Sequence, residues 1–166
     1  MALIAGVLVT LASVATLTFT PPATWKPVKT TSSMRVAQFA LPGSGEADAE
    51  LVVYYFGGSG GTVEANIERW LGQMQQPDGK PSSAVAKRES RTINTMKVTL
   101  VDVGGTYVAE MTPGSAQRHN RPNFRLRAAV IETPNGPYFI KLTGPAKTVA
   151  AADKAFEQFI ASLKYQ

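Results

Sequence analysis

The stretch that decides the fold is Ala49–Met74, which reads AELVVYYFGGSGGTVEANIERWLGQM. Its first part, Ala49–Phe56, is rich in β-branched and aromatic residues, which is typical of a central β-strand. The glycines of Gly57–Gly61 break this strand, and Thr62 is a suitable N-cap for a helix that follows. The predicted helix, Val63–Met74, has one apolar stripe at helical spacing: Val63, Ile67, Trp70, Leu71 and Met74.

Further strands and a second helix are predicted on both sides of this stretch. A stripe from Val149 to Leu163 predicts an amphipathic C-terminal helix that begins between Pro145 and Val149. Trp25 is expected to close one end of the core. There is no βαβ alternation and no internal repeat, so we predict an α+β fold, a mostly antiparallel sheet of about six to seven strands flanked by two amphipathic helices. Its further strands are predicted at Leu17–Thr20, Met34–Leu41, Ala84–Glu89, Asn94–Val103, Tyr107–Met111, Phe124–Glu132 and Pro137–Thr143.

The composition is that of one globular domain. Of 166 residues, 44% are apolar and 17% are charged, which is the opposite of a disordered composition. The chain has no cysteine, so disulfides, thiolate metal sites and cysteine nucleophiles are excluded. The net charge of +5 favours anionic partners, although dispersed charges are also typical of a solvated surface.

The first fifteen residues have the pattern of a secretory signal. Ala2–Ala15 reads ALIAGVLVTLASVA, has no charge, and at about 1.5 Å per helical residue is too short for the ~30 Å hydrocarbon core of a membrane. Ser13 and Ala15 suit a cleavage site, although no basic residue precedes the apolar run. We expect residues 1–15 to be a signal peptide and residues 16–166 to be a single exported domain, periplasmic or extracellular. A buried N-terminal helix is the alternative.

Several segments that follow Trp25 in a fixed order carry a resemblance to known proteins. They are MRVAQFALP at Met34–Pro42, AELVVYYFGGSGG at Ala49–Gly61, VEANIERW at Val63–Trp70 and GPYFIKLTGPAKTV at Gly136–Val149. The chain resembles a group of uncharacterised exported bacterial proteins with this order of segments. Its layout is also similar to the PsbP-like fold, an antiparallel sheet sandwiched by helices. PsbP-like domains include photosystem accessory subunits, binding proteins and secretion chaperones, so the resemblance implies action by contact and carries no site residue over.

The glycine run lies between a strand and a helix, where phosphate-binding loops are found. It lacks the G-x-G-x-x-G spacing and the Gly-Lys-Ser/Thr ending of such loops. The helix start at Gly60, Gly61 and Thr62 is therefore a candidate anion-binding site on the physics of helix termini alone. A flexible crossover between the strand and the helix is the competing interpretation.

His119 is the only histidine, and it lies in RHNRP, a basic loop without a nearby acid. A catalytic base needs an acid to orient it and a nucleophile to act on. We therefore expect a solvated loop histidine, with no catalytic residue, no metal site and no cofactor. The alternative is a hydrolase-like enzyme with a carboxylate and histidine site, which predicts a cleft where Asp102, Glu110 and His119 converge.

Arginines cluster in the same region. Arg125 and Arg127 alternate with apolar residues along one predicted strand, so they are expected to share a face. With Arg118 and Arg121 they would form one continuous basic surface, and with His119 a binding site for a carboxylate, a phosphate or an acidic partner. Paired arginines at an exposed end of the sheet are the competing interpretation. No aromatic residues interleave with the cluster as nucleic-acid binding requires, so nucleic acid is not expected as a partner.

Three classes of function follow from these residues. The first, which we predict, is a non-catalytic binding or accessory domain of the periplasm or cell envelope that contacts a protein or a small anionic ligand. The enzyme described above is the second. The third is a structural subunit of an envelope assembly, which predicts an exposed apolar patch or an open sheet edge. No stable membrane span is expected after residue 15.

Overall fold

A computed structural model describes residues 15–166 and places an eight-stranded antiparallel sheet at the centre of the molecule. The predicted signal peptide, apart from Ala15, lies outside the described residues. In chain order the strands are β1 Leu17–Thr18, β2 Lys26–Pro27, β3 Arg35–Leu41, β4 Ala49–Tyr55, β5 Met74–Gln75, β6 Lys87–Ile93, β7 Met96–Tyr107, β8 Arg121–Ile131, β9 Tyr138–Pro145 and β10 Lys164–Tyr165. The helices are α1 Val63–Leu71, α2 Ala146–Ala151 and α3 Asp153–Ala161.

The order of strands in the sheet is β2-β3-β4-β9-β8-β7, and both β5 and β6 pair with β7. All these pairs are antiparallel, and β1 and β10 form a separate two-stranded sheet. The predicted α+β fold class is therefore confirmed. Within residues 15–166 no helix is long and apolar enough to cross a membrane.

The sheet separates two apolar clusters. One face, which we call the α2–α3 face, lies under α2 and α3, and the opposite α1 face lies under α1. Trp25 closes the first cluster as predicted, with its ring 5.2 Å from Phe159 and 6.0 Å from Phe39. The buried residues of the α1 face come from α1 and four strands: Ile67, Trp70, Leu71, Met74, Val101, Val103, Leu126, Ala128, Val130 and Phe139.

The helix predicted after the glycine run is confirmed, together with its cap. The Thr62 hydroxyl accepts a hydrogen bond from the backbone N–H of Ala65 at 3.1 Å, which satisfies a donor at the helix start. The helix ends at Leu71 rather than Met74, because Met74 pairs with Tyr107 at the edge of the sheet as part of β5.

Three other predicted boundaries are wrong. The strand predicted at Tyr107–Met111 does not exist separately, because β7 continues through Gly104 and Gly105 to Tyr107. The strand predicted at Ala84–Glu89 begins only at Lys87, after a 3₁₀ turn at Ser82–Ala84. The C-terminal helix is two helices, with a break at Ala152.

An extra residue in β8 changes which side chains share a face. Gly105 pairs with Phe124 and Tyr107 pairs with Arg121, so two steps along β7 correspond to three along β8. Asn123 lies in this bulge with a φ of 56°, a left-handed conformation that asparagine tolerates. The extra residue reverses the alternation of side chains. Arg121 consequently lies on the face of Tyr107 and Phe124, which is the α1 face.

Candidate binding groove

The α1 face carries a groove beside the area that α1 covers. Its volume is about 420 Å³, which is within the range of small-molecule sites. We call it the sheet groove. Residues from β4, β7, β8 and β9 and from the loops before β4 and β8 line it. Eight of them are charged or aromatic: Asp48, Glu50, Tyr54, Tyr107, His119, Arg121, Phe124 and Lys141.

Lys141 lies in β9, and its side chain is largely buried. Its Nζ donates to Gln73 Oε1 at 2.5 Å and to the Tyr107 hydroxyl at 3.2 Å, and it lies 5.2 Å from the centre of the Tyr107 ring. Burial lowers the pKa of Lys141 to about 8, an effect that the charge of Glu50 partly opposes. Among residues 15–166 no carboxylate lies within 4.0 Å of this ammonium group. Lys141 therefore has hydrogen-bond acceptors and no counter-ion.

Aromatic rings form one wall of the sheet groove. Tyr107 stacks between His119, at 5.3 Å between ring centres, and Phe124, at 6.0 Å. Burial raises the pKa of Tyr107 to about 12, so its hydroxyl keeps its proton at neutral pH. Tyr54, contributed by β4, stacks on Phe56 at 6.0 Å.

Two carboxylates line the β4 side of the sheet groove. Glu50 Oε2 accepts from Gln38 Nε2 at 2.8 Å, and Gln38 Oε1 in turn accepts from Arg35 Nη1 at 2.8 Å. Asp48 Oδ1 accepts from the backbone N–H of Gly43 at 3.1 Å. Neither carboxylate forms an ion pair within the described part of the chain. The groove thus has acids on its β4 side and bases on its β8 side.

The five residues of the predicted basic site are separated into three places. His119 and Arg121 line the sheet groove. Arg118, in the same loop, lies outside it and pairs with Glu110 at 3.7 Å. Arg125 and Arg127 lie on the opposite, α2–α3 face of the sheet.

Acids of β7 and α3 neutralise the two arginines on the α2–α3 face. Arg125 binds Asp102 at 2.6 Å and Asp153 at 2.9 Å, and Arg127 binds Asp153 at 2.9 Å and Glu157 at 2.6 Å. Burial of Glu157 would raise its pKa, but hydrogen bonds from arginines outweigh burial and hold that pKa below its ordinary value. The predicted continuous surface of four arginines is therefore wrong. The bulge turns Arg121 to the other face, and internal acids pair with Arg125 and Arg127.

The structure does not bring together the residues of the hydrolase-like alternative. Asp102 faces α3 and is bonded to Arg125. Glu110 accepts from the backbone N–H of Gly114 at 2.8 Å, and His119 stacks on Tyr107 across the sheet from Asp102.

The helix start is already occupied by internal hydrogen bonds. Besides the Thr62 cap, Asn66 Nδ2 donates to the carbonyl oxygens of Gly60 at 2.7 Å and Thr62 at 2.9 Å. The hollow next to Gly61 and Thr62 is also lined by the carboxylates of Glu64 and Glu132. Anion binding at Gly60, Gly61 and Thr62 stays a prediction.

The exposed edge of the sheet at β6 is rich in charge, which discourages strands of other molecules from pairing there. Arg88 forms an ion pair with Glu64, and Arg91 pairs with Glu157 at 2.6 Å. Three of the exposed large apolar side chains, Val28, Met34 and Val36, lie in or beside the paired strands β2 and β3, whereas Val85 and Met111 come from other parts of the chain.

Comparisons with known proteins show a similar fold and indicate no activity. No protein-family model matches the chain, and no curated protein matches it in sequence. Its structure is similar to that of PA94 from Pseudomonas aeruginosa, a protein of unknown function described as a candidate regulator, with 16% identity and a TM-score of 0.53 over 84% of this chain and 96% of that chain. It is also similar to the solution structure of the cyanobacterial PsbP (CyanoP) from Synechocystis sp. PCC 6803, with 10% identity and a TM-score of 0.49 over 95% and 96% of the two chains. The likeness to PA94 shows a shared fold.

Proposed function

We propose that residues 16–166 form a single exported, non-catalytic binding domain and that the sheet groove binds an anionic ligand. The observation that carries this proposal is Lys141, whose largely buried ammonium group has no counter-ion among residues 15–166. Burying a charge without an opposite charge lowers the stability of the fold. Groups of this kind cluster at functional sites, where a ligand can supply the opposite charge. A carboxylate or phosphate in the groove supplies the missing partner.

The surroundings of Lys141 fit an anion with an apolar body. Arg121, which has no ion pair within the described chain, and His119 lie in the same groove and add donors for an anionic group. The stacked rings of Tyr107 and Phe124 offer an apolar wall to the rest of the ligand.

The test uses benzoate, which joins a carboxylate to a ring, and benzyl alcohol, which replaces the carboxylate by a neutral group. Isothermal titration calorimetry should detect benzoate binding and at least tenfold weaker binding of benzyl alcohol. Arg121→Gln and Lys141→Met should each weaken benzoate binding about tenfold, the usual effect of losing a charged hydrogen bond. Arg118→Gln, a change in the same loop outside the groove, is the matched control and should bind benzoate like the unmodified protein. Equal affinity for the two compounds, or equal loss in all three variants, would contradict the proposal.

Export is tested separately. Expressed in a bacterium with its own N-terminal segment, the protein should be recovered from the periplasm or medium, and mass spectrometry should place its first residue at Thr16. A cytoplasmic product that retains residues 1–15 would overturn this part of the proposal.

A further inference from the structure

We propose that the ligand of the sheet groove is a zwitterion with widely separated charges, namely a peptide of about three residues whose amino and carboxyl ends are both free. This inference rests on the proposed function, since it names the ligand of the same groove. The observation behind it is the division of charge in the groove, where Glu50 and Asp48 face Arg121 and Lys141.

Among residues 15–166, no acid of the groove is in direct contact with a base. Glu50 and Asp48 accept only from the amide of Gln38 and the backbone of Gly43, and neither forms an ion pair among residues 15–166. If the groove bound a simple anion, these two carboxylates would repel it. A ligand that carries an ammonium group at one end and a carboxylate at the other turns both sets of charges into favourable contacts.

The placement of the strands sets the length of the ligand. Glu50 belongs to β4 and Asp48 directly precedes that strand, whereas Arg121 belongs to β8, and β9 lies between β4 and β8. Across the strands this separation is two strand spacings, about 10 Å. Along the strands, Glu50 is level with Leu126 of β8, and Arg121 lies further toward the start of β8. An extended peptide spans about 3.5 Å per residue, so about three residues are needed to cover the separation across the strands, and a single amino acid is too short.

The middle of the groove suits peptide groups. The Tyr107 hydroxyl accepts from Lys141, so its own proton is free to donate to a ligand carbonyl. Tyr54, on the β4 side, carries a second hydroxyl into the groove. Both tyrosines line the same groove as the charged side chains, and the amide groups of a bound peptide would need neutral hydrogen-bond partners of this kind.

The experiment compares three probes by calorimetry: trialanine, N-acetyl-trialanine and trialanine amide. The first has both charges, the second lacks the ammonium group, and the third lacks the carboxylate. We expect trialanine to bind at least tenfold more tightly than either blocked peptide, because each blocked end loses a charged contact.

Two variants test which side of the groove binds each end of the peptide. Glu50→Gln should abolish the preference for trialanine over N-acetyl-trialanine, and Arg121→Gln should abolish its preference over the amide. Glu46→Gln is the matched control, because Glu46 lies in the preceding turn outside the groove and pairs with Lys147 at 3.6 Å. Glu50 and Arg121 are exposed, and thermal melting of each variant verifies that it is folded.

The outcomes separate this inference from the proposed function. If N-acetyl-trialanine binds as well as trialanine while the amide binds weakly, the ligand is an anion and the zwitterion is overturned. The zwitterion is equally overturned if none of the three peptides binds while benzoate does. If the amide binds as well as trialanine and benzoate does not bind, the proposed anion site fails as well.

Discussion

Arg125 and Asp102 form a two-pronged ion pair on the α2–α3 face, with Nε 2.8 Å from Oδ1 and Nη2 2.6 Å from Oδ2. Because the pair is partly buried, removing the charge of Asp102 leaves the Arg125 guanidinium with Asp153 of α3 as its remaining ion-pair partner and with weaker hydrogen bonds on its Nε and Nη2 side. Asp102→Asn should therefore lower the free energy of unfolding by about 1–3 kcal/mol, measured by urea denaturation.

The control for this prediction is Glu110→Gln, which removes an exposed ion pair with Arg118 whose atoms are 3.7 Å apart. Exposed pairs of this kind contribute about 0–1 kcal/mol, so the variant should unfold close to the urea midpoint of the unmodified protein. If the two variants lose the same stability, the cluster on the α2–α3 face is no stronger than an ordinary surface pair.

Lys141 should make the stability of the protein depend on pH. Its folded-state pKa of about 8 lies below its ordinary value of 10.5. Below pH 8 both states carry the proton, and burial of the charge opposes folding. Between pH 8 and 10.5 the folded state has released the proton and the unfolded state has not, so the free energy of unfolding rises with pH. Lys141→Met should remove this rise and add up to about 3 kcal/mol at pH 7, at about 1.36 kcal/mol per pKa unit.

Urea unfolding of both proteins at pH 7.0 and about pH 9.5 measures this difference. The combination of a gain in stability with the loss of benzoate binding is what distinguishes a lysine kept for a ligand from one kept for structure. A variant that is less stable than the unmodified protein at pH 7 would show that the bonds of Lys141 to Gln73 and Tyr107 outweigh the cost of burial.

The bulge at Asn123 should control the position of Arg121. Deleting Asn123 restores regular alternation and turns Arg121 toward the α2–α3 face, so benzoate affinity should fall to that of Arg121→Gln. Asn123→Gly keeps the extra residue and the positive φ, and it should bind benzoate normally. If calorimetry finds full affinity in the deletion variant, Arg121 reaches the groove in another way.

The N-cap of α1 at Thr62 should contribute to the free energy of unfolding by an amount that is usual for such caps. Thr62→Ala removes the acceptor of the Ala65 N–H, and the expected loss is about 1 kcal/mol in the free energy of unfolding. Thr62→Ser keeps a hydroxyl at the same place and should lose much less. Equal losses in the two variants would mean that the methyl group of Thr62, rather than its hydroxyl, stabilises the helix.

Local patterns in the sequence were sufficient to predict the main strands and helices but not the positions of the arginine side chains. The strand from Ala49 and the helix from Val63 are confirmed, because short-range periodicity and a capping residue determine them. The continuous surface expected for the four arginines is wrong, because β8 extends back to Arg121 through a bulge at Asn123 that nothing in the local pattern marks. The acids that pair with Arg125 and Arg127 come from β7 and α3, which lie more than twenty residues away in the chain.

The sheet groove was missed for a related reason. Lys141 is the one charged residue in the apolar strand PYFIKLT, and its alternation with Phe139 places both on the α1 face. That signal was available in the sequence. Whether the face is open at Lys141 depends on where α1 ends and on how Tyr107 folds over it, and both are properties of the whole fold.

The pairing of β1 with β10 has a consequence for the order of folding. Leu17 pairs with Tyr165, and Trp25 packs on Phe159 of α3, so residues near the beginning of the described chain are held by residues at its end. During synthesis β1 therefore has no strand partner until β10 has been made. Contacts between such distant residues are also slow to form. Closure of the core at Trp25 and β1 thus waits for the synthesis of α3 and β10.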